Sequence, residues 1–490
     1  MPKVGKILVI GGGSSGWMAA ALLSKTLPET QILLIEASDI PIIGVGESTN
    51  MLMRYFHRHL GIDEKAFMRA SNAAFKVAIR FENFDRPGGV YHHPFGAPAK
   101  NDWNPSRFQP HAESHLAAYH VAEKRNVLTK DRSIASYQLD AGLYGQYLKT
   151  DCKRQQRVRH IVDRITNVVL TEGGDIARVQ TESSGDLVAD LYLDCSGFRS
   201  IVLDKVLHEP FENLNKYLLN DRAIAARVPY VDKSRELVTY TNCTALSAGW
   251  VWSIPLWSRI GTGYVYSSAF LSKSEAEAEY RAFLGAERVK DLVFNHIEIR
   301  TGRHARAWVG NCIGVGISYG FLEPLESTGL SLTQLSIFDL VAALSSNVPL
   351  PVEREMYNKR QGNLFDSTRD FIMAHYVLTT REDSPYWRHV RRENGLTDSL
   401  VERLLDARTN SYDKLERSPH VFYGSANWNT ILSGMGFYGD DPDQKKLMEL
   451  PETHVHAELL QREIYDGEYE EPQPLADVVG GAHPTWNATW

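Results

Sequence analysis

Three short stretches carry residue types that could do chemistry. Gly11-Gly12-Gly13-Ser14-Ser15-Gly16 spaces its glycines as G-x-G-x-x-G. The first glycine of such a turn bends tightly, the second lets backbone approach a pyrophosphate, and the third lets a helix pack on a strand. Lys76 follows the apolar pair Ala74-Phe75. Taken alone it reads as a solvated side chain, whereas dry surroundings would depress its pKa and make it reactive. Glu326 precedes Ser327-Thr328-Gly329. A carboxylate can take a proton or stabilise a cation, and the N–H groups of a small-residue turn can converge on an anion. Trp250 and Trp252 alternate, so a strand would project both from one face, as core aromatics or as a wall. His111 and His115 would share a helical face. Their spacing is not HExxH and no cysteine joins them, so no metal site is expected.

The elements that must position these residues are legible around the first motif. Lys6-Ile7-Leu8-Val9-Ile10 reads as a buried parallel strand, and Trp17 to Leu23 suits a helix. The helix N-terminus offers free N–H groups and a positive dipole end to phosphates. A second strand, Gln31 to Ile35, ends at Glu36, 20 residues past Gly16, where a carboxylate can accept from ribose hydroxyls. NAD and FAD both fit to this point. Two later strand-turn segments, Leu191 to Gly197 with Asp194 and Asn311 to Gly316, favour the longer FAD, which needs backbone approaches from separate segments. That arrangement resembles the FAD-dependent aromatic monooxygenase superfamily. There is no second G-x-G-x-x-G after another strand, which favours a flavin reduced elsewhere.

The chain has 490 residues, 43% hydrophobic and 23% charged, enough for two or three lobes around a large core. Its net charge is −7 and no basic block occurs, so no nucleic-acid partner is expected. Cys152, Cys195, Cys243 and Cys312 form no CxxC pair, which fits a reducing cytoplasm. The N-terminus lacks a signal-peptide pattern, and no apolar run reads as long enough to span a bilayer, so no membrane partner is expected. The expected organisation is α/β: a discontinuous FAD-binding module over 1–360 with inserted substrate-side strands, then a mainly helical substrate-side cap and tail over 361–490. The stretch from Glu463 to Trp490, with its acids and prolines, reads as a solvated, weakly ordered tail.

Four segments narrow the family. They are Gly44-Val45-Gly46-Glu47-Ser48-Thr49, Ala74-Phe75-Lys76, the W-x-W-x-I-P run Trp250 to Pro255, and Phe321-Leu322-Glu323-Pro324-Leu325-Glu326-Ser327-Thr328-Gly329. Together they resemble the flavin-dependent tryptophan halogenase family, as do Arg259 to Ser267 and Arg369 to Tyr376. The resemblance runs over nearly the whole chain and implies the Rossmann-type βαβ module of the GR2, aromatic-monooxygenase-like class. It implies halogenation of an electron-rich, indole-like arene, in which reduced FAD (FADH2), O2 and chloride or bromide yield hypohalous acid. That acid travels to a lysine beside the substrate. Lys76 matches the lysine, acting as a hydrogen-bonding ammonium or as a haloamine, and Glu326 matches the nearby carboxylate. Gly11, Gly13, Ser14, Ser15, Gly16, Glu36, Gly46, Glu47, Ser48, Asp194 and Gly316 fall to FAD. Ser327, Thr328 and Gly329 fall to halide. His93, Pro94, Phe95 and Trp428 line the substrate pocket, and Trp250 and Trp252 form the wall between flavin and substrate. The implied partners are a separate NAD(P)H-dependent flavin reductase and a small aromatic, and a homodimer is compatible. A hydroxylating FAD monooxygenase with a structural Lys76, and a non-catalytic flavin-binding protein, are the competing readings.

The sequence departs from the family near its end. Val421 to Asn429 lacks the paired tyrosines that precede Trp428 at the family spacing and hold free tryptophan's amino and carboxylate groups. The expectation is poor activity on free tryptophan and better activity on indole-like or larger arenes. A subgroup of this shape often prefers bromide.

Overall fold

A computed structural model describes residues 4–39, 46–95, 135–290, 292–408, 422–437 and 464–465. Lys6–Ile10 is a central strand of a six-stranded sheet, ordered Trp308–Val309, Cys312–Gly314, Leu191–Asp194, Lys6–Ile10, Gln31–Glu36, Val158–Val162. Its strands pair in parallel except at the Trp308–Val309 edge. Ile7, Leu8, Val9 and Ile10 are all buried, as a parallel strand covered on both faces requires, and this explains a continuous apolar run rather than an alternating one. The helix Ser14–Thr26 is buried from Gly16 to Ser24. The α/β expectation therefore holds, and the two late segments that favoured FAD are neighbouring strands.

A seven-stranded sheet carries the other side. Its order is Asn295–Glu298, Arg222–Val228, Ile260–Tyr266, Gly249–Pro255, Tyr240–Ala245, Ala78–Glu82, Val90–Pro94. All pairs are antiparallel except Tyr240–Ala245 with Ala78–Glu82. A small antiparallel sheet of Glu47–Ser48, Ser136–Leu139 and Ala74–Lys76 sets Ser48 opposite Gln138 and Lys76 opposite Ser136. Val77 alone separates the Lys76 strand from Ala78–Glu82, so one short turn of chain links the two sheets.

Two helices complete the core. Thr328–Ser345 is long and apolar enough to cross a bilayer by length and composition, which corrects the reading that no such run exists. However, 78% of it is buried inside the fold, so its apolarity belongs to the protein core. Leu350–Val377 is a 28-residue helix, about 42 Å long at 1.5 Å per residue. It passes residue 360 unbroken, so the boundary expected there falls inside one element. Among the described residues beyond it are the helices Pro385–Arg392, Asp398–Arg408 and Ser425–Gly434.

The tail expectation fails at Ile464 and Tyr465. Tyr465 stacks on Trp257 with centroids 4.2 Å apart and rings 5° from parallel. Its hydroxyl faces the carbonyls of Met68 and Ala73, and Arg69 donates to the carbonyls of Ile464 and Tyr465. Two aromatic and aliphatic side chains outweigh the acidic composition around them. The four cysteines are buried and free.

Candidate active site

The cofactor end is built as the motif demands. Gly11 has φ +114°, and a Cβ there would lie 2.5 Å from the Cys195 carbonyl oxygen. A Cβ on Gly16 would meet the Gly11 oxygen at 1.9 Å. A Cβ on Gly13 would meet nothing within 4 Å, and Gly13 caps the helix without a side-chain bond. Free helical N–H groups facing open space form a cradle for a pyrophosphate, so the residues fit the phosphate part of FAD. Ser14 donates to the Ala141 carbonyl, and Ser15 abuts Gly316, whose φ is +68°. Glu36 Oε1 accepts from Lys149 at 2.6 Å and faces His160 at 2.7 Å. Gly46 has φ +139°. Glu47 is half-buried, and burial pushes its carboxyl up to about 7. Asp194 is spent inside the fold: one oxygen accepts from Ser196, and the other from the amides of Val202 and Leu203. It shapes the turn behind the strand, so its side chain is already occupied within the fold.

Lys76 is fully buried at the end of its strand. Nζ donates to the Thr49 carbonyl at 2.9 Å and to Ser327 Oγ at 2.8 Å, and it lies 4.7 Å from the centre of the Phe95 ring. Ser327 Oγ donates in turn to Ser48 Oγ at 3.0 Å, and Ser48 pairs with Thr241 at 2.6 Å. The small sheet explains this meeting, because its register sets Ser48–Thr49 and Lys76 on either side of Ser136–Leu139. Burial brings the Lys76 ammonium down to about 7, partly offset by the Glu326 carboxylate and by Cys243.

Glu326 lies between two imidazoles. His93 Nδ1 is 2.8 Å from Oε2, and His375 Nε2 is 2.8 Å from Oε1. Burial alone would raise this carboxyl, but His93 and His375 outweigh it and bring it to about 2. For His93 burial works against the charged ring, and the Glu326 carboxylate overcomes it and raises its pKa. His93 also contacts Asn427 Oδ1 through Nε2 at 2.9 Å. It is thus tied to the carboxylate by one edge rather than being a free wall of an aromatic slot.

Ser327 has φ +60° and caps the helix Thr328–Ser345 without a side-chain bond to it. Holding a serine in the left-handed region costs of order 1–3 kcal/mol. The Lys76 and Ser48 bonds hold it there. The first helical N–H groups belong to Thr328 and Gly329. Thr328 Oγ1 is buried with no hydrogen-bond partner, and a Cβ on Gly329 would meet nothing within 4 Å. An unpartnered hydroxyl beside an open helix N-terminus fits a small anion such as halide.

Trp250 and Trp252 do share a face, edge to face with centroids 6.2 Å apart. Trp252 lies over Gly263, where a Cβ would come within 2.2 Å of its ring. The Trp250 indole N–H is buried without a hydrogen-bond partner, and burial pushes the carboxyl of Glu323, which accepts from Asn220 and Tyr376, up to about 7. Phe95 is half-buried, and the Pro94 side chain lies outside the described residues, as do His111 and His115. Trp428 is buried to 1%, edge-on to Phe371 at 5.1 Å and under the Arg403 guanidinium at 4.6 Å. It backs the site rather than opening onto it.

Sequence reasoning left several members without a role. Phe371 and Tyr423 stack 3.7 Å apart and 8° from parallel, and Tyr423 donates to the Glu326 carbonyl. His375 closes the carboxylate cage. Phe371 and His375 are spaced i, i+4 on the helix Leu350–Val377, so they share a face. That spacing inside the Arg369 to Tyr376 segment was the available signal. Among the described residues, no group of three or more His, Cys, Asp or Glu is arranged to hold a metal ion.

Comparison with known proteins gives consistent results. The family model described as tryptophan halogenase matches residues 6–449. Tryptophan 7-halogenase KtzQ of Kutzneria sp. (strain 744) is 36% identical, over 90% of this chain and 91% of that protein. Tryptophan 7-halogenase RebH of Lentzea aerocolonigenes is 34% identical over 98% of each. Among solved structures, a tryptophan halogenase from Shewanella frigidimarina NCIMB 400 superposes with a TM-score of 0.82 at 29% identity, covering 95% of this chain and 98% of that one.

Proposed function

Because the chain belongs to the tryptophan halogenase family, we propose that it halogenates an indole-like arene at Lys76 and Glu326, and that its preferred arene is not free tryptophan. Reduced FAD with O2 supplies the oxidising equivalents that turn halide into hypohalous acid. The segments around Gly11–Gly16, Glu36 and Gly316 would hold the cofactor, and Thr328 and Gly329 would hold the halide. A separate NAD(P)H-dependent reductase would supply the reduced flavin, in keeping with the single G-x-G-x-x-G.

The observation that carries this reading is the state of Lys76. An ammonium has three N–H donors. Among the described residues, Thr49 and Ser327 take two, which leaves one for the oxygen of hypohalous acid. That hydrogen bond draws electrons from the halogen and delivers a proton as the oxygen departs in water. Halogen bonds to the ring carbon, the C–H bond there breaks, and its electron pair restores aromaticity. The ring proton goes to Glu326, held as a carboxylate by its two histidines. A fixed anion beside a forming arene cation also stabilises it in a water-poor site. The overall exchange converts arene and hypohalous acid to haloarene and water.

Bromide and chloride are both candidate halides for this site. Trp250 and Trp252, buried edge to face, support a wall role that would keep the flavin oxidant from the arene. The test supplies FADH2, O2, bromide and indole and reads products by mass spectrometry. Bromoindole supports the proposal, and hydroxyindole formed without halide would sink it.

A further inference from the structure

We infer that Gln138 is a positioning residue: through Thr241, Ser48 and Ser327, its buried side-chain amide fixes the direction of a hydroxyl chain that ends on Lys76. The catalytic consequence rests on the halogenase reading above.

Donors and acceptors decide the direction. Gln138 Nε2 lies 3.3 Å from the Val238 carbonyl oxygen, and Gln138 Oε1 lies 3.1 Å from Thr241 Oγ1. A backbone carbonyl only accepts, so the NH2 end of the amide must face Val238 and the oxygen must face Thr241. Thr241 therefore donates its one hydroxyl proton to Gln138. Toward Ser48, 2.6 Å away, it can only accept. Ser48 spends its proton on Thr241 and accepts from Ser327 at 3.0 Å. Ser327 spends its proton on Ser48 and offers only a lone pair to Lys76 Nζ at 2.8 Å. The Thr49 carbonyl, at 2.9 Å from Nζ, is likewise an acceptor alone. Two N–H groups of Lys76 are thus fixed, and the third position of the nitrogen is left for the oxidant.

The fold holds this chain in place. Gln138, Thr241, Ser48, Ser327 and Lys76 are all buried, and hydrogen bonds in series polarise one another in such surroundings. The register of the small sheet sets Gln138 opposite Ser48 on one side and opposite Ala74, just ahead of Lys76, on the other. Thr241 comes from the large sheet, on the strand Tyr240–Ala245. The charged and titratable groups acting on Lys76 are Glu326 beside Ser327, Cys243 on the Thr241 strand, and His93 on the strand Val90–Pro94. The hydroxyl chain carries no charge of its own, so it acts on Lys76 by its direction. If the chain reversed, Ser327 would point its proton at Nζ. That contact repels an ammonium and attracts the lone pair of an amine. Breaking the far end of the chain should therefore favour the amine and lower the Lys76 pKa.

Two variants of the full chain break the far end and leave Lys76, Ser48 and Ser327 in place. Gln138→Met keeps the length of the side chain and loses the amide. Thr241→Val keeps the shape and loses the hydroxyl, while Thr241→Ser keeps the hydroxyl as a control. The first readout is the titration of Lys76 by NMR of 13C-labelled lysine, with its signal assigned by loss in Lys76→Met. The midpoint should fall by about one pH unit in Gln138→Met and in Thr241→Val, and stay at the wild-type value in Thr241→Ser. The second readout is the pH profile of bromoindole formation from FADH2, O2, bromide and indole. Its alkaline limb should move to lower pH in the same two variants and return in Thr241→Ser. A Lys76 midpoint unmoved in either folded variant overturns the inference, even if the melting temperature falls, because a packing role destabilises the fold without retuning Lys76. A wild type that makes no bromoindole overturns the halogenase reading instead, and the Lys76 midpoint still decides the role of Gln138.

Discussion

Lys76 Nζ and Ser327 Oγ meet at 2.8 Å across 251 residues of sequence. This bond joins the strand that carries the lysine to the turn that carries Glu326 and opens the helix Thr328–Ser345. Ser327→Ala removes the acceptor and the contact to Ser48, and it frees Nζ to leave its direction. A hydrogen bond to a charged group contributes about 1.5–3 kcal/mol, so halogenation should fall about 10- to 100-fold. Reduced-flavin oxidation should change little. Parallel measurement of haloarene and flavin oxidation checks this.

Lys76 also sets a pH dependence of stability. Its folded pKa is lowered to about 7 from the ordinary 10.5. The unfolded chain therefore binds more protons between those values, and this residue's contribution makes stability rise with pH across that window. Below about 7 both states are charged and the penalty is at its full size. Lys76→Met removes the penalty, so it should melt at higher temperature than wild type near neutrality, with the difference shrinking toward pH 10. Thermal denaturation of both proteins across that range is the check.

The proposed substrate preference rests on the sequence before Trp428, which lacks paired tyrosines. Phe371, Tyr423 and Trp428 build an aromatic back to the site, which serves an arene of many shapes, whereas free tryptophan's ammonium and carboxylate need partners of their own. Indole should show kcat/KM about tenfold or more above free tryptophan, since one unpaired polar group left in a dry site costs about 1–3 kcal/mol. Competition between the two in one vessel, read by mass spectrometry, measures the ratio.

The Tyr465 contact ties the chain's late segment to the stretch just ahead of Lys76. Tyr465→Ala loses the stack on Trp257 and the hydroxyl contacts to Met68 and Ala73. Destabilisation of about 1–3 kcal/mol is expected from the lost aromatic burial and hydrogen bond. Tyr465→Phe should lose only the hydroxyl part. Chemical denaturation of the two variants separates the terms.

What the sequence made legible was local. The strand, turn and helix from Lys6 to Thr26 are encoded by contiguous residues, and the structure follows them closely. Lys76, Glu326 and Ser327 were found through motifs, and the fold brings them together. What was hidden was long-range pairing. Nothing near His375 in the chain announces Glu326, because a helix face and a turn meet only once the helix Leu350–Val377 has packed. Asp194 looked free for the cofactor because its amide partners, Val202 and Leu203, lie past a turn that sequence does not reveal. Residue 360 looked like a boundary because composition does not report where a long helix begins. Tyr465 looked solvated because its acidic neighbours outnumbered it, and its ring decides the outcome.

The most direct test of the central claim is Lys76→Ala given FADH2, O2, bromide and indole, with bromoindole and reduced-flavin oxidation followed together. The account predicts that bromoindole falls by about a thousandfold or more, as loss of a positioned proton donor in a transition state implies, while flavin oxidation continues at the wild-type rate. Bromoindole formation by Lys76→Ala at the wild-type rate would contradict it.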